Sequence, residues 1–210
     1  MLQKSLTVAV VVAHPDDEAL WAGGTILMHP FWDWFIVSLC RADDPDRAPR
    51  FNHALEVFRV KGAMGVLDDG PEQNPLEIDL VKTTILQLLP DRHFDMVITH
   101  APKGEYTRHL RHEETSRAVI DLWKGGRISA NELRAFAYED GGKAYLPKPI
   151  DTADIFCQLP DNIFREKYRI ITDIYGFDTN SFEAQTTPHA EAFWQFTLPD
   201  LAWQWLNKEE

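Results

Sequence analysis

Residues 6–12 (LTVAVVV) form a short unbroken apolar run rich in β-branched side chains, and no other feature limits the fold so strongly. A strand with one wet face alternates apolar and polar residues, whereas an unbroken run needs cover on both faces, as inside a parallel sheet. Such runs return at 35–40 (FIVSLC) and 95–99 (DMVIT). Helices are predicted at 19–28, at 51–63 with Gly62 and Gly65 near its end, at 76–89 stopped by Pro90, and at 113–123. This order predicts a single-domain, doubly wound α/β fold: a mostly parallel sheet with helices on both faces, Rossmann-like in plan.

After Gly125 and Gly126 the rhythm changes. Strands are predicted at 133–138 and 153–157 around a loop at 143–150, extending the sheet at one edge, and a helix at 165–175. The stretch 180–206 is aromatic but weakly periodic and reads as a tail. No repeat, low-complexity tract or linker marks a boundary, so one domain is expected over 1–210, with the motifs in 1–125 and edge strands, a helix and the tail in 126–210. A chain of 210 residues that is 44% hydrophobic can bury one sizeable core, where most of its seven tryptophans are expected.

With 21 basic against 33 acidic residues the net charge is -12, and no basic run is present to neutralise a phosphate backbone. Nucleic acid is therefore not an expected partner. Residues 1–12 hold one lysine and no small-residue cleavage site, so they do not read as a signal peptide. No apolar stretch approaches the roughly 20 residues of a spanning helix, and no integral membrane association is expected. Cys40 and Cys157 stand far apart without a CxxC, the pattern of buried free thiols in a reducing, cytoplasmic compartment. Composition leaves a homo-oligomer open: the acidic surface opposes association, and the tail aromatics offer a contact.

In open α/β sheets ligands sit beyond the carboxyl ends of the strands. Here the first run ends in His14-Pro15-Asp16-Asp17-Glu18, the second in Arg41-Ala42-Asp43-Asp44, and the third in His100, with Glu105, His109 and His112 close behind. Pro15 holds His14 extended and suits a first helical position, so His14 closes the strand while Asp16 and Asp17 open the helix. An imidazole and a carboxylate three residues apart can ligate one zinc ion, leaving the other carboxylate as a base. The plainer alternative is a satisfied histidine beside acids that complement a helix dipole. His109 and His112, three apart, suit one ligand and one supporting or catalytic imidazole. Two histidines and one aspartate leave a fourth position for water, the composition of a catalytic zinc site.

Ala13-His14-Pro15-Asp16-Asp17-Glu18 at a strand-to-helix junction, with Ala22-Gly23-Gly24-Thr25 behind it, resembles the zinc-dependent de-N-acetylases of the LmbE/PIG-L type. The Ala63-Met64-Gly65-Val66 segment and the Gly104-Glu105-Tyr106 approach to the histidines are similar too, so the likeness covers about the first 120 residues. It implies an LmbE-like fold in which His14, Asp17 and His112 hold zinc, with iron(II) as the other metal such a donor set suits. It also implies that Asp16 is the general base and that His109 stabilises the oxyanion or assists the leaving amine. Arg111 occupies the place where the family often has an aspartate, which leaves Glu105, Glu113 or Asp43 to orient His109 and makes His100 the spare histidine.

Arg47 and Arg50 fall in the loop where the resemblance places contacts to substrate hydroxyls or phosphate, and Arg50 is the expected substrate contact. The implied activity is removal of an N-acetyl group from a small sugar-like substrate of the N-acetylglucosaminide class. A non-sugar N-acyl compound is the alternative substrate. A non-catalytic α/β binding domain fits less well: HPDDE stands where a glycine-rich phosphate turn would be, and Gly23-Gly24 comes too late.

Overall fold

A computed structural model describes residues 5–209, so the first four residues of the stretch read against a signal peptide lie outside the described residues. The elements in chain order are β1 (Thr7–Val12), α1 (Asp17–Met28), β2 (Asp33–Cys40), α2 (Arg47–Phe58), β3 (Lys61–Leu67), α3 (Ile78–Leu88), β4 (Met96–Thr99), α4 (Leu110–Lys124) and β5 (Leu133–Phe136). There follow β6 (Tyr138–Glu139), β7 (Lys148–Pro149), β8 (Ile155–Gln158), α5 (Asp161–Arg169) with a π-helical continuation Ile170–Ile174, α6 (Phe182–Thr186), β9 (Ala190–Phe196) and α7 (Pro199–Glu209).

β1 pairs in parallel with β2 and β4, so that Val10 lies between Ile36 and Ile98. Val8, Val10 and Val12 enter one core with Trp21, Phe51 and Ile171, while Ala9 and Val11 enter a second with Ile85, Val119 and Trp123. Alternate side chains of one unbroken run thus feed two cores, which puts helices on both faces. Seven strands form the main sheet in the order β3-β2-β1-β4-β5-β9-β8. It is parallel from β3 to β5 and antiparallel through β9 and β8, in agreement with the expected doubly wound, mostly parallel fold.

Three segments differ from the sequence reading. The strand expected at 133–138 ends at Phe136, and Tyr138–Glu139 pairs instead with Lys148–Pro149, inside the expected loop at 143–150, in a separate two-stranded sheet. The helix expected at 51–63 begins at Arg47 and stops at Phe58, and 61–67 is strand β3. Gly62 and Gly65 serve close strand approach rather than helix termination: a Cβ on Gly62 would stand 2.5 Å from the Ile36 carbonyl oxygen, and one on Gly65 2.6 Å from that of Leu39. The tail holds α6, β9 and α7, with β9 inserted between β5 and β8. Glu191 breaks the apolar pattern of β9, yet it is buried. Its carboxylate accepts from the Gly24 and Thr25 amides at 2.7 Å and pairs with buried Lys167 at 2.6 Å. Both cysteines are free; Cys40 is buried, but Cys157, on the edge strand β8, is only partly so. No described helix is long and apolar enough to cross a membrane.

Candidate metal centre

Between β1 and α1 the backbone turns at Asp16, whose φ of 131° lies in a region that side-chain-bearing residues seldom adopt. The turn is held by the Leu20 amide donating to the Asp16 carbonyl at 2.8 Å and the Asp16 amide donating to Glu18 Oε2 at 3.1 Å. It brings Asp17 back onto His14: Asp17 Oδ2 accepts the His14 amide at 2.9 Å and stands 3.1 Å from His14 Nδ1. The other oxygen, Oδ1, accepts from Trp21 Nε1 at 3.1 Å, which fixes the carboxylate plane.

His112 enters from the first turn of α4, with Nε2 3.2 Å from His14 Nδ1 and 3.4 Å from Asp17 Oδ2. Bonds of about 2.0–2.2 Å at tetrahedral angles separate donors by roughly 3.3–3.6 Å, and the sides of this triangle come within about 0.2 Å of that range, so a small outward shift would fit it to a single divalent ion. The far nitrogen of each imidazole faces a carboxylate: His14 Nε2 lies 3.2 Å from Asp69 Oδ1, and His112 Nδ1 2.6 Å from Glu105 Oε2. Such support fixes ring orientation and would raise the basicity of either imidazole toward a metal ion. His100 also approaches Asp17 Oδ2, at 3.5 Å. Its Nε2, however, accepts the Ala13 amide at 3.0 Å and its Nδ1 donates to Glu105 at 2.8 Å, so both nitrogens are engaged. Burial opposes the charge on Glu105, but the two imidazoles hold its carboxyl down at about 2. Burial likewise opposes the charge on Asp17, which His112 and His100 hold well below the usual carboxylate range.

Asp16 lies in the same cleft, 3.4 Å from Arg47 Nη1. Burial and the neighbouring Asp17 charge push its carboxyl well above the usual range. His109 caps the N-terminus of α4, its ring 4.5 Å from that of His14 and 4.4 Å from that of His112. Its Nδ1 is buried without a hydrogen-bond partner among the described residues, and burial with the adjacent imidazoles lowers its pKa to about 3. Glu105 serves His100 and His112, and Glu113 pairs with Arg108 at 2.6 Å; neither orients His109. Arg111 is buried and turns away, donating to the Asp68 and Asn74 carbonyls and to Glu114. It thereby ties the loop after β3 to α4, and that loop carries Asp69.

The cleft has a volume of about 160 Å³, and His14, Asp16, Asp17, Asp69 and His109 line it together with Arg41, Arg47, Tyr106, Phe182 and Glu183. Arg50 is not in the lining: its Nε donates to Asp46 at 2.8 Å and its Nη1 to the Tyr175 carbonyl at 2.8 Å. Arg47 lies instead 4.6 Å over the Phe177 ring, and Arg41 is bound to Asp69 at 2.5 Å. Asp69 escaped the sequence reading because the strand before it did; with 61–67 recognised as a strand, Asp68-Asp69 becomes a polar strand end like the others. Phe182 and Glu183 sit on a five-residue helix whose sequence carries no comparable signal.

No protein-family model matches the chain. Among curated proteins it is 22% identical over 177 residues to the uncharacterized protein L374 of Acanthamoeba polyphaga mimivirus, covering 77% of this chain and 75% of that one. Similar solved structures include N,N'-diacetylchitobiose deacetylase from Pyrococcus horikoshii, with a TM-score of 0.68, 14% identity and coverage of 92% and 85% of the two chains. The zinc-inhibited form of teicoplanin deacetylase Orf2 matches with a TM-score of 0.63, 14% identity and coverage of 90% and 97%. The 4-carboxy-2-hydroxymuconate hydratase GalB from Pseudomonas putida KT2440 matches with 0.61, 15% identity and coverage of 90% and 96%. The chain has the LmbE/PIG-L-type fold implied by its HPDDE segment. Since one of these neighbours is a hydratase, the fold alone does not name the reaction.

Proposed function

We propose that this chain is a metal-dependent hydrolase that removes the N-acetyl group from a small sugar-like substrate of the N-acetylglucosaminide class. His14, Asp17 and His112 would hold zinc, or iron(II). The observation that carries the reading is the 3.1–3.4 Å triangle of Nδ1, Oδ2 and Nε2, opening on a cleft that also holds the Asp16 carboxyl. Deacetylases among the solved structures of like fold support it.

Amide hydrolysis needs an activated water, a stabilised oxyanion and a proton for the departing amine. When bound, the ion supplies Lewis acidity, which polarises the acyl oxygen and acidifies a water molecule. Asp16 takes the proton of the attacking water and returns it to the amine nitrogen. His109, as its Nδ1–H tautomer, donates from its unpartnered nitrogen to the oxyanion. Arg47, in the cleft lining, offers a donor to substrate hydroxyls. Acetate and a free amine result. The same proposal takes 1–210 as one domain, because the sheet draws strands from both sides of residue 126, and places the chain, with its free thiols, in the cytoplasm.

The test is acetate release from a panel of N-acetylated sugars and non-sugar amides, with zinc or iron(II) supplied. Release from N-acetylglucosaminides is expected, and Asp16→Asn should lower it by about 10²–10⁴-fold. Release confined to non-sugar amides would move the substrate class, and no release from any amide would overturn the reaction.

A further inference from the structure

Beside the cleft, on its Tyr106 side, lies a second hollow of about 390 Å³, more than twice the cleft's own volume. Tyr106 and Phe182 line both hollows, their rings 5.2 Å apart and edge-on. Tyr145, Leu146 and Pro147 complete the apolar part of the lining. Tyr145, Leu146 and Phe182 are 40%, 43% and 39% exposed. Single exposed apolar side chains need no explanation, but a cluster bordering a polar reaction site does.

The shelf is fastened in advance. Asp140 is buried and accepts from the Thr107 amide and hydroxyl, both at 2.7 Å, and from the Gly142 amide at 3.0 Å. This pins residues 140–147 to the segment between Tyr106 and His109. Tyr145 donates to Glu139 at 2.7 Å, and Lys148 Nζ lies 4.3 Å over its ring. Side chains already held in place lose little freedom when a ligand arrives.

We propose that this shelf binds an apolar ring on the amine half of the substrate, which narrows the substrate class to N-acetylaminosugars bearing an aryl or similarly flat apolar aglycone. The inference rests on the N-deacetylase reading. An acetyl group ends at its methyl, so whatever extends onto the shelf belongs to the amine half. Three aromatic rings, a leucine and a proline line an open surface on which a flat ring can lie, where an alkyl chain would need an enclosing tunnel.

The experiment is calorimetric binding of phenyl and methyl glucosaminides, the deacetylated products, to the zinc-loaded protein. Phenyl glucosaminide should bind about tenfold more tightly than the methyl compound, the gain expected from one or two good aromatic contacts. Leu146→Ser and Phe182→Ala should reduce that ratio to within about twofold of unity, while Leu198→Ser, which removes an exposed leucine outside the shelf, should retain it. Equal affinities in the wild type overturn the proposal. So does an affinity gain that follows N-acyl chain length, measured with N-acetyl and N-hexanoyl methyl glycosides on Asp16→Asn. Self-association abolished by Leu146→Ser, without a phenyl preference, would assign the shelf to a second copy of the chain. Product binding requires no turnover, so failure here is distinct from failure to release acetate.

Discussion

Glu105 accepts from two imidazoles through one oxygen, and this single side chain organises most of the centre. In Glu105→Gln one amide oxygen can still accept from both imidazoles, but both lose the ionic support of the carboxylate, and the new NH2 faces the Ala101 amide, which in the wild type donates to Oε1 at 3.2 Å. Zinc affinity should fall about 10–100-fold, measured by competition with a chromophoric chelator; unchanged affinity would show that ring orientation does not depend on Glu105. Arg50 separates the sequence expectation from the observed contacts. If its role is to tie α2 to the Tyr175 carbonyl, Arg50→Ala should lose about 1 kcal/mol in urea denaturation, because the guanidinium is one-third exposed. A raised KM with unchanged stability would restore the substrate role. Much at this scale was legible, since HPDDE and the HxxH spacing name the residues of the triangle. Asp69 and the diversion of Arg111 were not, because both depend on where the loop after β3 lies against α4.

At the scale of elements, α1 is anchored through its middle. The Gly24 and Thr25 amides donate to Glu191, and Tyr138 donates to the Trp21 carbonyl at 2.9 Å. A Cβ on Gly24 would stand 2.5 Å from Leu159, which is why glycine fits there. Breaking a buried ion pair by removing one partner leaves an uncompensated charge. Lys167→Met should therefore destabilise the protein by roughly 3–5 kcal/mol, read from the denaturation midpoint; a loss under about 1 kcal/mol would mean that Glu191 is satisfied by the helix amides alone. The strands β1, β2 and β4 could be read from their unbroken apolar runs. β3 was hidden by glycines needed for close approach, and β9 by a buried glutamate whose partners on α1 and α5 lie 167 and 24 positions away in sequence, respectively.

For the whole molecule, the doubly wound order carries His14 and His112, 98 positions apart, to one rim. An ion bound there links the end of β1 to the start of α4 and binds only the native state, so zinc should raise the melting temperature, by an amount that grows with free zinc. His112→Ala should show no such rise. The net charge of -12 favours cation capture in a general way but does not select the site. The most direct measurement is calorimetric zinc titration of metal-free protein, with the wild type beside His14→Ala, Asp17→Ala, His112→Ala and Asp16→Asn. The predicted result is about one tightly bound equivalent in the wild type and in Asp16→Asn, and loss of tight binding in the other three. Tight binding that survives His112→Ala, or that Asp16→Asn abolishes, would contradict the account.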